Sequence, residues 1–275
     1  MKRPPGLPDF ENPPAVETLL GVYFSPLKGW ITPYFGLFWH TIRKEYPKVQ
    51  VQPPFVSEQG LRLELRSERS TLRLSGEIPV RWLYTHGSER RLIQIQTDCF
   101  IQNWRKRDER DSYLHYAQLR PSFEQMWKRF CRFLADVKVE APIVQECEVT
   151  YINHIDRGRG WTNFGDLSKV ISGWSGVTSG SFLPTPTFVS LNAAYPMPGN
   201  GGRLSVSLQP GIRPDGKETL QLNVSGRCKP TSPTTGDLMK ALDLARGWVV
   251  NGFTDLTTEQ MHKIWKKKER RSERR

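Results

Sequence analysis

Two long helical patterns, each preceded by a series of short strand-like runs, constrain this chain more than any other feature. The first spans 121–137, with Phe123, Met126, Trp127, Phe130, Cys131 and Leu134 spaced at three and four. The second spans 237–251 and follows a Thr-Ser-Pro-Thr-Thr-Gly loop. Ahead of the first, Val16, Leu20, Val22 and Phe24 carry a strand-like pattern, 29–46 reads as a helix closed by Pro47, and strands are expected at 61–66, 71–74, 80–84, 92–95 and 100–104. Ahead of the second come a strand at 147–155, a short helix at 163–171, and strands at 187–194, 203–208 and 219–225. Each half therefore runs strand, helix, strands, helix.

A shift of 131 residues superposes Glu17 on Glu148, Gly29 on Gly160 and Trp30 on Trp161. The expected fold class is α+β, an internal duplication of two related halves, each a curved antiparallel sheet packed on one long helix. The divisions are a Pro-rich extended arm (1–14), an N-terminal half (15–140), a C-terminal half (141–262) and a basic tail (263–275). The arm holds Pro4, Pro5, Pro8, Pro13 and Pro14, which lack backbone donors, and is expected to stay outside the core.

The 275 residues carry 40 Lys and Arg against 28 Asp and Glu, a net charge of +12. This favours an anionic partner, either nucleic acid or an acidic protein, and excludes an acidic solvating chain. The last ten residues hold seven bases and two acids, so five of the twelve units lie there. Cys99, Cys131, Cys147 and Cys228 show neither C-x-x-C nor zinc spacing and read as small core residues. The prolines at the start of the chain leave no secretory signal, so a reducing cytoplasm is expected. No apolar run reaches the roughly 18 residues of a membrane span, and no membrane partner is expected.

Several segments together resemble a known family: Pro13-Pro14-Ala-Val-Glu17, Tyr46-Pro47-Lys-Val-Gln-Val-Gln-Pro53-Pro54, Leu92-Ile-Gln94-Ile-Gln96 followed by Phe100-Ile-Gln-Asn103-Trp104-Arg105, Cys147-Glu148-Val-Thr-Tyr151-Ile-Asn153-His154-Ile155, and Phe253-Thr-Asp-Leu-Thr257-Thr258-Glu259. They are similar to a sporadically distributed bacterial family of unknown function, over about Pro13 to Trp265. The resemblance implies an accessory component of a bacterial system, of the defence or toxin–antitoxin kind. It carries no catalytic residues across.

Three constellations remain as candidates. Arg105, Lys106, Arg107 and Arg110, with Arg120, Lys128, Arg129 and Arg132, concentrate positive charge at a strand end and on the following helix, where phosphates or an acidic partner can be met. Gln94, Gln96, Asn103 and Trp104 outline a candidate polar cleft; Gln94 and Gln96 share one strand face, and Asn103 shares a face of the next strand with Arg105. His154 with Asp156 two residues on is the weak catalytic candidate of a hydrolase reading, the carboxylate orienting the imidazole. No nucleophile elbow, P-loop, dinucleotide fingerprint or H-E-x-x-H occurs, so no catalytic residue is assigned, and neither cofactor nor metal is expected. The leading expectation is a non-enzymatic binding protein. Its alternative is a small-molecule sensor with a pocket between sheet and helix, lined by such aromatics as Trp30, Trp39, Trp127, Trp161, Trp174 and Trp248.

Overall fold

The computed structural model describes residues 6–54, 80–108, 111–175 and 182–269. The strands expected at 61–66 and 71–74, Arg110 and the end of the basic tail lie outside them. Among the described residues the alternating runs build one antiparallel sheet: β1 (Ala15–Phe24), β2 (Lys48–Gln52), β3 (Arg81–Thr85), β4 (Arg91–Ile95), β5 (Cys99–Arg105), β6 (Val144–Asp156), β7 (Leu191–Met197), β8 (Gly202–Ile212) and β9 (Glu218–Cys228). Across the sheet the order is β2-β3-β4-β5-β1-β6-β9-β8-β7. The first strands of the two expected halves thus pair with each other at the centre, Leu20 opposite Val149 and Thr18 opposite Tyr151. Each is then flanked by the last strand of its own half, β5 beside β1 and β9 beside β6.

Four α-helices complete the described fold: α1 (Pro33–Ile42), α2 (Tyr116–Asp136), α3 (Thr235–Leu256) and α4 (Glu259–Ile264). Period 2 sends Leu20, Val22 and Phe24 of β1 and Phe100 and Trp104 of β5 to one face, and the apolar stripe of α2 covers them. Phe100 meets Phe123, Trp127 and Phe130 at ring separations of 6.0, 5.8 and 5.0 Å. In the second half α3 packs on β6 and β9. Its closest approach needs Gly226, where a Cβ would stand 2.7 Å from the carbonyl oxygen of Ala245. Arg120 and Tyr116 of α2 both reach Asp243 of α3, at 2.8 and 2.9 Å. One continuous core joins both halves, so they are not separately packed units.

Local boundaries moved where tertiary contacts overrode local pattern. α2 begins at Tyr116 rather than at Pro121, because burying Tyr116 and Leu119 outweighs the one helix hydrogen bond that the proline cannot donate. α1 is shorter than 29–46; Gly29 sits at φ +79°, outside helical space, and Pro33 starts the helix instead. The helix expected at 163–171 is a 3₁₀ turn, Phe164–Lys169, fixed by a capping box between Asn163 and Asp166. β7 starts at Leu191 rather than 187, and β2, unforeseen as a strand, ends the sheet among the described residues.

The arm is not held apart from the core. Phe10 is buried against Phe253, His262 and Trp265. Backbone bonds from Glu11 and Asn12 to Lys266 and Trp265, and from Lys268 back to Asp9, zip the arm to the first residues of the tail. Aromatic burial outweighs the proline content that suggested a free segment.

Candidate functional site

On the sheet face turned away from the helices, beside the small apolar cluster of Leu19, Cys99 and Ile101, polar side chains form a ladder across five strands. Arg81 donates to Gln52 (2.6 Å) and to Gln94 (3.1 Å), Gln94 donates to Asn103 (2.7 Å), and Asn103 donates to Glu17. An amide carries both donor and acceptor, so Gln94 and Asn103 relay the chain from one strand to the next. Two members of the candidate cleft, Gln94 and Asn103, therefore meet, but they satisfy each other. Gln96 turns to Asp98 at 3.0 Å. Trp104 does not belong with them: strand alternation puts it on the opposite face, buried in the core and edge-on to Tyr113 at 5.6 Å.

Beyond the centre line the same face holds a second charged group. Glu148 accepts from Arg227 Nε (2.8 Å), Thr150 (2.6 Å) and Ser225 (3.1 Å), and the Arg227 guanidinium lies 4.4 Å over the Tyr23 ring. Glu148 is directly opposite Arg227 on β9, as Glu17 is directly opposite Arg105 on β5. Burial raises the Glu17 carboxyl above its ordinary 4.5, against the lowering by the Asn103 hydrogen bond and the Arg105 charge. Arg105 Nε is buried with no hydrogen-bond partner.

Arg105 opens onto a groove of about 1040 Å³ at the end of the central strands. Its walls are the arm and Glu17, the residues after β5, the end of β6, the β8–β9 connection with Arg213, and the start of the tail at Trp265 and Lys268. Six bases line it, Arg105, Lys106, Arg107, Arg159, Arg213 and Lys268, with five acids. These acids are already engaged within the protein. Asp111 accepts from the backbone of Arg107 (2.8 Å) and pairs with Arg90; Asp156 holds Arg213 (2.8 Å), Glu11 holds Lys266 (2.9 Å), and Glu17 holds Asn103. Backbone donors and burial act in opposite senses on Asp111, and the net effect lowers its carboxyl.

The structure divides the predicted basic cluster. Arg105, Lys106 and Arg107 reach the groove, Arg107 also pairing with Glu89 at 3.0 Å. On α2, Arg120 is spent on Asp243, Lys128 on Glu124 (2.7 Å), and Arg129 on Glu45 (3.0 Å) and the carbonyl of Thr41. Arg132 is exposed on the same helix. The helix bases are thus separated from the strand-end bases by their own ion pairs.

His154 and Asp156 both line the groove, but the carboxylate does not orient the imidazole. Asp156 gives one oxygen to Arg213, and its Oδ1 has no hydrogen-bond partner. His154 bonds instead to Gln221, its cross-strand neighbour, and burial lowers its pKa below the ordinary 6.5. Two residues along a strand set their backbones about 6.6 Å apart, and the nearer arginine wins the carboxylate.

Between sheet and helices, the cavity beside Tyr151, Arg246 and Phe253 measures about 50 Å³, room for a water or two. Trp30, Trp127 and Trp161 are core, with Trp39, Trp174 and Trp248 packed at its margin. Among the described residues no group of three or more metal-binding side chains converges, and no helix is long and apolar enough to cross a membrane. Sequence reasoning missed Arg159, Arg213 and Gln221, which come from separate segments and share no motif, whereas Lys268 belongs to the basic tail that it did single out. No protein-family model, curated protein or solved structure matches the chain.

Proposed function

We propose that this is a non-enzymatic binding protein that receives an anionic partner, in the first place the phosphates of a nucleic acid, at the groove where Arg105, Lys106, Arg159 and Arg213 converge. The observation that carries this reading is Arg105 itself: a guanidinium at the groove with a buried, unpartnered Nε has donor capacity that a phosphate oxygen satisfies. Arg213 is held by Asp156 and Asp215, Arg107 by Glu89 and Lys268 by Asp9, so the anion-binding capacity of the groove rests chiefly on Arg105, Lys106 and Arg159. An acidic protein surface offers the same charge and is the competing partner.

The test is fluorescence anisotropy of a labelled single-stranded oligonucleotide at increasing salt. Wild type should bind with a steep salt dependence, and Arg105→Glu with Lys106→Glu and Arg159→Glu should weaken binding at least about tenfold, while Lys128→Gln with Arg129→Gln leaves it unchanged. Salt-insensitive binding, or none at low salt, overturns the reading. A small-molecule sensor is the second reading, favoured by the groove volume of about 1040 Å³, which is just above the roughly 300–1,000 Å³ typical of ligand pockets. Thermal stabilisation by one metabolite of a panel, with no effect of oligonucleotides, selects it.

The same proposal includes the duplication and the bacterial family. Duplication is supported by the central pairing of β1 with β6, by the Glu–Arg pair repeated on either side of it, and by Gly29-Trp30 and Gly160-Trp161, in which both glycines take positive φ (+79° and +97°) and both tryptophans are buried. The family resemblance adds the accessory role in a bacterial cytoplasm; a pull-down from the native host tests it.

A further inference from the structure

We propose that the groove is built for a nucleotide unit, with the phosphate on Arg105 and Lys106 and an N–H or O–H of the base or sugar on Asp156. This rests on the reading of the groove as an anion site and narrows its ligand. Three buried polar atoms of groove residues lack a hydrogen-bond partner; Asp111 Oδ1 is met by the Arg90 charge, and the other two are of opposite kind, Arg105 Nε able only to donate and the carboxylate Oδ1 of Asp156 only to accept. Such atoms are the exceptions in a folded protein and need an explanation. A ligand satisfying both must carry an anionic acceptor at one end and a donor at the other.

The strand register fixes how far apart the ends are. Arg105 is opposite Glu17, Glu17 is opposite Ile152, and Asp156 lies four residues further along β6. At a rise of ~3.3 Å per residue and a strand spacing of ~4.8 Å, their backbones stand roughly 16 Å apart, a gap the two side chains shorten. Inorganic phosphate is too small to span it. A nucleotide has phosphate, donor and separation together. Between the two ends the groove offers Ile152 as an apolar surface, and His154 and Gln221 as further polar contacts.

The experiment is calorimetric titration of the full chain with AMP, CMP, GMP and UMP, with inorganic phosphate, with the matching nucleosides, and with a 5′-phosphorylated tetranucleotide. At least one nucleotide should bind about tenfold or more tighter than phosphate and than its nucleoside. Arg105→Gln should weaken nucleotide and phosphate alike, whereas Asp156→Asn, which keeps an oxygen for Arg213, should weaken only the nucleotide. If Asp156→Asn unfolds the protein, analogues of the best nucleotide methylated in turn at the N–H groups of the base and at the sugar hydroxyls carry the same test from the ligand side, and one of them should bind about tenfold more weakly. Equal binding of free nucleotide and tetranucleotide assigns a free ligand; tighter binding of the tetranucleotide assigns a strand end. Nucleotides that bind no tighter than phosphate overturn the inference, leaving the anion groove standing if oligonucleotide binding still falls with salt. Absence of all anion binding overturns both.

Discussion

The two Glu–Arg pairs on either side of the central strands differ in one respect that matters. Glu148 and Arg227 form a closed group: the carboxylate takes hydrogen bonds from the guanidinium, a threonine and a serine, and the arginine stacks on Tyr23. Glu17 and Arg105 occupy the corresponding places, yet Glu17 is claimed by the amide ladder through Asn103 and Arg105 keeps a buried donor unpartnered at the groove. One pair is a structural staple, and under the proposed function the other is the binding element. What separates them is partner satisfaction, since the residue types are the same.

Arg227→Ala should break that comparison with the largest effect. It leaves Glu148 buried without its counter-charge, at a cost of about 3–5 kcal/mol in urea unfolding, whereas Arg105→Ala should cost about 1 kcal/mol or less and act on binding instead. The paired glycines come next. Either Gly→Ala change forces a left-handed residue to carry a Cβ, about 1–2 kcal/mol, but at Gly160 the Cβ also meets Met261 Sδ at 2.5 Å while Gly29 faces open space, so Gly160→Ala should lower Tm further.

Glu17 sharpens the contrast through pH. Its carboxyl titrates above the ordinary 4.5 in the folded state, so the folded chain binds the proton more tightly than the unfolded one. The stability this gives is present at low pH and is lost as pH rises from 4.5 through the raised value. Glu17→Gln should therefore flatten the fall of Tm over that window and leave the protein more stable than wild type above it. The smallest effect belongs to Lys128→Gln and Arg129→Gln on α2. Exposed pairs of this kind are worth about 0–1 kcal/mol, and removing these should change neither stability appreciably nor oligonucleotide binding.

Much of the fold was legible because it is written locally. Alternation along 92–95, 100–104 and 147–155 placed β4, β5 and β6 within a few residues, and the three-and-four spacing of Phe123, Trp127 and Phe130 identified the buried stripe of α2. Errors fell where a long-range contact outbid the local pattern. Phe10 left a proline-rich arm for the core, Trp104 went with its strand parity rather than with its polar neighbours, and Asp156 went to Arg213 rather than to the histidine two residues away.

The site was less legible for the same reason. Arg105, Lys106 and Arg107 were foreseen as a basic cluster, but so were Arg120, Lys128 and Arg129, which sequence could not distinguish from them. Their carboxylate partners Asp243, Glu124 and Glu45 come mostly from other elements. The groove draws on the arm, β1, β5, β6, the β8–β9 connection and the tail, segments brought together only when the sheet forms. By itself the sequence determined the strand and helix periods, the apolar face of each, and the excess of positive charge, because these depend on neighbours along the chain. Only the tertiary structure decided which charges are neutralised and which remain available, because pairing and burial depend on neighbours in space.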